Sequence, residues 1–76
     1  MHKYFFDITR EHSRQYDYHG RMLPGPEQAQ RYAELLALDL EMNVDGQWSG
    51  WAVDVRDARG RQLCSVPVRC PDLVAA

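Results

Sequence analysis

Two aspartates, Asp7 and Asp54, are the side chains of this sequence best suited to acid–base chemistry. Each alternates with apolar residues in a segment of strand composition, so both are predicted on the same outer face of a sheet. Two carboxylates in one cleft can divide the roles of general acid and general base. We expect instead a flat, hydrated face where Lys3 and Arg56 form ion pairs, because a carboxyl group that stays hydrated keeps an ordinary pKa. The sequence therefore favours a protein without catalytic activity.

Metal-binding and nucleophilic sites lack the residue spacing that either role requires. The three histidines, His2, His12 and His19, include no pair four residues apart on a helix, and no cysteine pair has zinc-ligand spacing. Cys64 is predicted on a strand, away from a helix N-terminus that would activate its thiol. We expect Cys64 and Cys70 to be reduced thiols, and we expect neither a metal nor a cofactor.

Nucleic-acid binding has one indication, in the arginines of a predicted hairpin. Arg56, Arg59 and Arg61 could contact phosphates. Nearby aspartates offset their charge, and the whole chain carries a net charge of −2. Proteins that read RNA with a sheet stack bases on two or three exposed rings, whereas only Phe5 is predicted to project outward here. A nucleic-acid-binding regulator is therefore the alternative function and not the leading one.

Four apolar side chains without a predicted place in the core favour a protein-interaction surface. These are Phe5, Leu35, Leu38 and Trp48. Single exposed apolar residues are normal, but a 76-residue domain has a thin core, and four such residues suggest association. Leu38 is the clearest case because helix geometry places it on the polar side, whereas Trp48 could fold over the end of the core. The leading hypothesis is a small cytoplasmic interaction module that forms a homodimer.

Alternation of apolar and polar residues predicts the first strands. The opening segment KYFFDIT alternates in this way, and one of its two faces is uniformly apolar, which assigns that face to the core. The residues of the core-facing set are Tyr4, Phe6 and Ile8. Residues 10–14 predict a turn, and residues 15–23 predict a second short strand with a turn or bulge at Gly20. Asp17 is predicted to bind nearby backbone N–H groups of that turn.

An amphipathic helix is predicted from Pro26 to about Met42. Proline fits the first helical position, where its missing N–H is no loss, and Gly25 is the predicted N-cap. Leu35 and Leu38 depart from the inward stripe. The inward stripe consists of Ala29, Tyr32, Ala33, Leu36 and Leu40.

A β-hairpin is predicted over residues 51–68. Residues 57–60 form a four-residue connection with glycine last, which suits a type I turn followed by a left-handed residue. Pro67 cannot donate a backbone hydrogen bond, so the returning strand is expected at a sheet edge. Two alternatives stay open for its inward face. These are the set with Leu63, and the set with Cys64, Val66 and Val68.

The order β-β-α-β-β predicts a single α+β domain over residues 1–76, with one helix covering one face of a four-stranded antiparallel sheet. The other face is expected to meet water or a partner. Residues 69–76 are predicted to be a loose tail.

Asp7 interrupts the opening apolar run, so no signal peptide is predicted, and no segment approaches the roughly 20 apolar residues of a membrane span. These features predict a cytoplasmic protein.

The order and spacing of these segments resemble a family of small bacterial proteins of unknown function. The matching motifs are KYFFDI at residues 3–8, D-x-x-G-x-x-L-P at 17–24, and W-x-V-x-V-x-D-x-x-G-R-x-L followed by V-P at 51–67. Gly25-Pro26 departs from the acidic N-cap usual there. The resemblance implies the α+β fold and assigns no activity. A looser likeness to small antitoxins, which pair with RNA-cleaving toxins, is an analogy of fold that gives the nucleic-acid alternative its antitoxin-like form.

Overall fold

The computed structural model describes residues 1–42 and 50–68. The elements, in chain order, are β1 (His2–Arg10), β2 (Ser13–Gln15), β3 (Arg21–Leu23), α1 (Pro26–Glu41), β4 (Ala52–Asp57) and β5 (Gln62–Pro67). The strand pairs are all antiparallel, and α1 packs on one face of the sheet. The predicted α+β class is confirmed. Trp48, Cys70 and the predicted tail lie outside the described residues.

The first strand is the centre of the sheet, whose order is β2-β1-β4-β5. β4 takes one edge of β1. The other edge is shared by two short strands, because β2 pairs with the end of β1 and β3 pairs with its beginning. The segment predicted as one strand over residues 15–23 therefore forms parts of two strands. Residues 16–20 leave the ladder between them, and Gly20 adopts a φ of 72° there.

The core lies between the helix and the inward side chains of the central strands. Tyr4 and Phe6 are buried and Ile8 is half-buried, which confirms the predicted register of β1. Val53 and Val55 of β4 are fully buried beside them. On the helix the buried residues are Ala29, Ala33 and Ala37. Because alanine has the smallest side chain that still favours a helix, α1 can approach the sheet closely.

The helix begins where the sequence predicts and ends one residue earlier. Gly25 is the N-cap and Pro26 occupies the first turn. At the other end the Met42 N–H donates to the Leu38 carbonyl at 3.0 Å, so Met42 caps the helix. Ala37 belongs to the inward stripe although the sequence pattern did not assign it there. The remaining predicted members, Tyr32, Leu36 and Leu40, are half-buried against the core.

The hairpin closes as predicted and its last strand is an edge strand. The Gly60 N–H donates to the Asp57 carbonyl at 3.0 Å, and Gly60 has the left-handed φ of 86° that such a turn requires. A register shift between Val55 and Arg56 reverses the alternation of β5 on either side of it. Cys64 and Val66 pair with the buried Val55 and Val53, so the inward face is the second alternative, with Cys64, Val66 and Val68 packed against the core. Leu63 is exposed.

Candidate functional site

Asp7 and Asp54 stand directly opposite each other on the sheet face that points away from the helix, here called the open face. The sequence predicted a flat, hydrated surface at this point, and that prediction is wrong. Asp7 is 0% exposed and Asp54 is 5% exposed. Like charges directly across a strand pair destabilise a sheet. Burial of two carboxylates side by side therefore requires positive partners.

Two arginines supply those partners. Arg14 donates from Nη1 to Asp7 Oδ2 at 2.5 Å and from Nη2 to Asp54 Oδ2 at 2.8 Å, so one guanidinium bridges both carboxylates. Arg56 binds Asp7 with two nitrogens, Nε to Oδ2 at 2.6 Å and Nη2 to Oδ1 at 3.2 Å. The four side chains, which we call the aspartate–arginine network, balance two negative charges with two positive ones. Ser65 Oγ donates to Asp54 Oδ1 at 2.6 Å.

Strand pairing explains how Arg14 reaches this face. Thr9 lies on the same side of β1 as Asp7, and Arg14 is its partner on β2. Side chains of directly paired residues project to the same side of a sheet. Arg14 is therefore carried onto the open face by the pairing of β2 with β1, and the sequence analysis did not assign it a role.

Asp17 fills the gap between β2 and β3. Its Oδ2 accepts the Phe6 N–H at 3.2 Å, in place of the strand that is missing there. Its Oδ1 accepts the N–H groups of His19 and Gly20, which confirms its predicted turn role. Its own N–H donates to Asp7 Oδ1 at 2.9 Å. The turn and the aspartate–arginine network are thus one hydrogen-bonded unit.

The charges of this unit determine how its carboxyl groups titrate. Burial raises the pKa of Asp7, but the hydrogen bond from Arg56, the Asp17 N–H and the charge of Arg56 outweigh burial and hold that pKa below its ordinary value. Burial likewise raises the pKa of Asp17, and the N–H groups of Gly20, Phe6 and His19 bring it below the ordinary value. Both groups are held in the ionised form.

Arginine and lysine side chains lie over the aromatic rings on this side of the sheet. Phe5 does project to this face, as predicted, but it is half-buried. The Arg56 guanidinium lies 5.0 Å from the centre of its ring, and Lys3 Nζ lies 5.9 Å from it. Arg14 lies 5.6 Å from the ring centre of Tyr16. Cations over ring faces stabilise such arrangements, so the expectation that Phe5 lacks a burial partner is wrong.

The three arginines of the nucleic-acid alternative separate into two groups. Arg56 is bound to Asp7, so its charge is neutralised within the fold. Arg59 and Arg61 are exposed, and both border a surface depression that Lys3 also lines. Arg61 makes a loose ion pair with Asp57, at 3.5 Å. Of these three arginines, Arg59 and Arg61, here called the turn arginines, are available for a phosphate.

The outer side of α1 carries the largest exposed apolar group among the predicted interface residues. Leu35 is 63% exposed and Leu38 is 49% exposed. Met42 is 73% exposed and borders the same shallow depression, which has a volume of about 360 Å³. We call Leu35, Leu38 and Met42 the helix apolar surface. The sequence analysis treated Met42 only as the helix end, although its spacing of seven from Leu35 places it on the same side.

The described part of the chain gives little evidence for a metal site or a reactive cysteine. Within residues 1–42 and 50–68, no group of three or more His, Cys, Asp or Glu side chains is placed to hold a metal ion. Cys64 is a half-buried free thiol. Burial, followed by the nearby charges of Glu34 and Asp54, raises the pKa of that thiol, which makes it a poorer nucleophile.

A family model described as a domain of unknown function (DUF6894) matches residues 3–69. The chain belongs to this family. No curated protein and no solved structure matches the chain at a significant level. In the described ranges, no helix of this DUF6894 member is long and apolar enough to cross a membrane. The family description names no activity, so the function must be inferred from the geometry of the surfaces described above.

Proposed function

We propose that this protein is a cytoplasmic, non-catalytic interaction module that associates with itself through the helix apolar surface. One observation carries the proposal. Leu35, Leu38 and Met42 border one shallow depression on α1, and each is about half exposed or more. Contiguous exposed apolar side chains on a small domain are typical of interaction surfaces.

The size of this surface predicts a weak dimer. Burying an exposed aliphatic side chain of this kind contributes about 1–2 kcal/mol. Six such side chains, three from each copy, contribute about 6–12 kcal/mol before the cost of association, which is about 4–15 kcal/mol. At the lowest cost of association the net gain is at most about 8 kcal/mol, which corresponds to a dissociation constant no tighter than micromolar. Association should therefore be sought at high protein concentration.

The occupancy of the open-face carboxylates supports the non-catalytic part of the proposal. Each oxygen of Asp7 and Asp54 accepts at least one hydrogen bond from within the chain. A general base needs an oxygen that can accept a proton from substrate. Here Arg14 donates to both carboxylates and Arg56 donates to Asp7, and their charges hold the pKa of Asp7 below its ordinary value.

Sedimentation velocity tests self-association. The wild-type protein is expected to move from the mass of the 8.8 kDa monomer toward twice that mass between about 10 μM and 1 mM. Leu38→Asp should remain a monomer over this range because it places two charges in the apolar contact. Leu63→Asp is the matched control, since Leu63 is an exposed leucine on β5 that does not belong to the helix apolar surface. A wild-type protein that stays monomeric at about 1 mM would refute the proposal.

The nucleic-acid alternative keeps one supporting observation, the exposed pair Arg59 and Arg61 beside Lys3. Fluorescence anisotropy with labelled single-stranded RNA and duplex DNA at low salt tests it. Binding should weaken when both turn arginines are replaced by alanine and should fall with added salt. Arg10→Ala, at the end of β1, is the control. No anisotropy change at low salt removes this alternative.

A further inference from the structure

We propose that the helix apolar surface binds a second copy of itself in one orientation, with the two helices antiparallel and a two-fold axis at Leu35. In this arrangement Arg31 of each protomer faces Asp39 of the other. The inference rests on the proposed function and adds the geometry of its contact and two residues that determine it.

The position of Leu35 on the helix supports this axis. At about 100° per residue, Leu35 lies on the side opposite Ala33 and Ala37, which are buried against the sheet. Leu35 is therefore the outermost residue of the helix, and a second helix can approach it without meeting the sheet. Arg31 and Asp39 lie one turn before and one turn after it, on the same side.

Arg31 and Asp39 are exposed charges that the fold does not use. Both side chains are exposed. Neither takes part in an ion pair or side-chain hydrogen bond among residues 1–42 and 50–68, whereas Arg14 and Arg56 of the open face are fully engaged. They lie about 12 Å apart along the helix axis. A helix that carries an unpaired positive charge before an apolar centre and an unpaired negative charge after it is complementary to itself when reversed.

The charges also disfavour two other ways of pairing two copies of this helix. A parallel pair would place Arg31 beside Arg31 and Asp39 beside Asp39, which is repulsive. An antiparallel pair with its axis between Leu35 and Leu38 would bring Glu34 of one copy next to Asp39 of the other. Of these three arrangements, the axis at Leu35 is the one that combines a central apolar contact with two attractive charge pairs.

The remaining apolar residues fit the same axis. Residues equally distant from Leu35 on its two sides face each other across an antiparallel pair. Leu38 then meets the half-buried ring of Tyr32 of the second protomer, and Met42 meets Gln28. Both contacts occur twice, as the symmetry of a two-fold dimer requires. All three residues of the helix apolar surface therefore take part in the contact between the two protomers.

A charge-reversal experiment tests this orientation by sedimentation velocity. Arg31→Asp and Asp39→Arg should each weaken self-association about tenfold or more, because each converts two attractive pairs into two repulsive ones. An equimolar mixture of the two single variants should recover association near the wild-type level, since every Asp at position 31 then faces an Arg at position 39. The double variant Arg31→Asp/Asp39→Arg should recover it alone. Circular dichroism checks that each variant folds.

The outcomes separate this geometry from the proposed function. If the wild type associates and Leu38→Asp abolishes association, but the single charge variants behave like the wild type, the surface is right and this orientation is wrong. The orientation is also wrong if both single variants are weakened and neither the mixture nor the double variant recovers. A monomeric wild type overturns both proposals. Recovery in the mixture supports antiparallel pairing at Leu35, because no change in net charge alone predicts it.

Discussion

Replacing Arg14 with alanine tests the claim that the open face is held together by charge. Arg14 is the positive partner that Asp7 and Asp54 share, and it comes from a strand of three residues. Without it, Asp54 keeps only Ser65, and two buried carboxylates face each other with Arg56 bound to one of them. We expect a large loss of stability for a single substitution.

The structure bounds the size of that loss. Removing one partner of a buried ion pair costs about 3–5 kcal/mol. The Arg14 side chain is 30% exposed, so water replaces part of what it provides, and we expect about 2–3 kcal/mol. A domain of 76 residues has a total free energy of unfolding of about 4–11 kcal/mol. Arg14→Ala should therefore remove about a fifth or more of the stability and lower the Tm by about 10–20 °C.

Urea unfolding at pH 7, followed by circular dichroism, measures this loss, and a second substitution identifies its cause. In the Arg14→Ala background, Asp54→Asn should restore about 1 kcal/mol or more, because it removes the repulsion from Asp7. Arg61→Ala is the control, since Arg61 forms a loose, exposed pair with Asp57 and should change the midpoint little. The reasoning is refuted if Arg14→Ala unfolds at the same urea concentration as Arg61→Ala, or if Asp54→Asn adds to the damage.

Three further predictions concern the same part of the fold. The folded-state pKa values of Asp7 and Asp17 are lowered, so the unfolded chain binds more protons in acid; the urea midpoint should be constant near pH 7 and fall as the pH drops below about 5. Gly20→Ala should cost about 1–3 kcal/mol in urea unfolding, because φ is 72° and the added Cβ would lie 3.0 Å from the Phe5 ring. Glu11→Gly should raise the Tm by a few degrees, because Glu11 has a φ of 43° in the β1–β2 turn. A pH-independent midpoint, a harmless Gly20→Ala or a destabilising Glu11→Gly would contradict the corresponding argument.

Most of the fold could be predicted because its signals are local. Tyr4 and Phe6 alternate with polar residues, and alternation alone determines which side chains share a face of β1. The Pro26 start of the helix and the Gly60 turn depend on backbone preferences of single residues. The segment between β1 and the helix was harder, because two strands of three residues are too short for a periodic pattern.

In the candidate surfaces, too, the features that depend on local spacing could be predicted and the contacts with distant residues could not. Leu35 and Leu38 could be placed outside the core from helical spacing, since that spacing is a property of the helix alone. Phe5 could be placed on the outer sheet face, but its ring contacts with Lys3 and Arg56 could not be foreseen. The expected ion pair of Arg56 on this face is confirmed, since Arg56 binds Asp7, 49 positions away, and it leaves that arginine unavailable for a phosphate.

The sequence by itself determined which side chains point to each side of β1 and to the outer side of α1, because alternation in a strand and rotation in a helix follow from backbone geometry. Only the tertiary structure decided which of them meet. The pairing of β1 with β4 sets Asp7 against Asp54, and the pairing of β1 with β2 brings Arg14 across to bind both. Asp7 and Asp54, which the sequence predicts to be hydrated, are thereby buried. The reason is that strand register, and not local composition, selects the neighbours of a side chain.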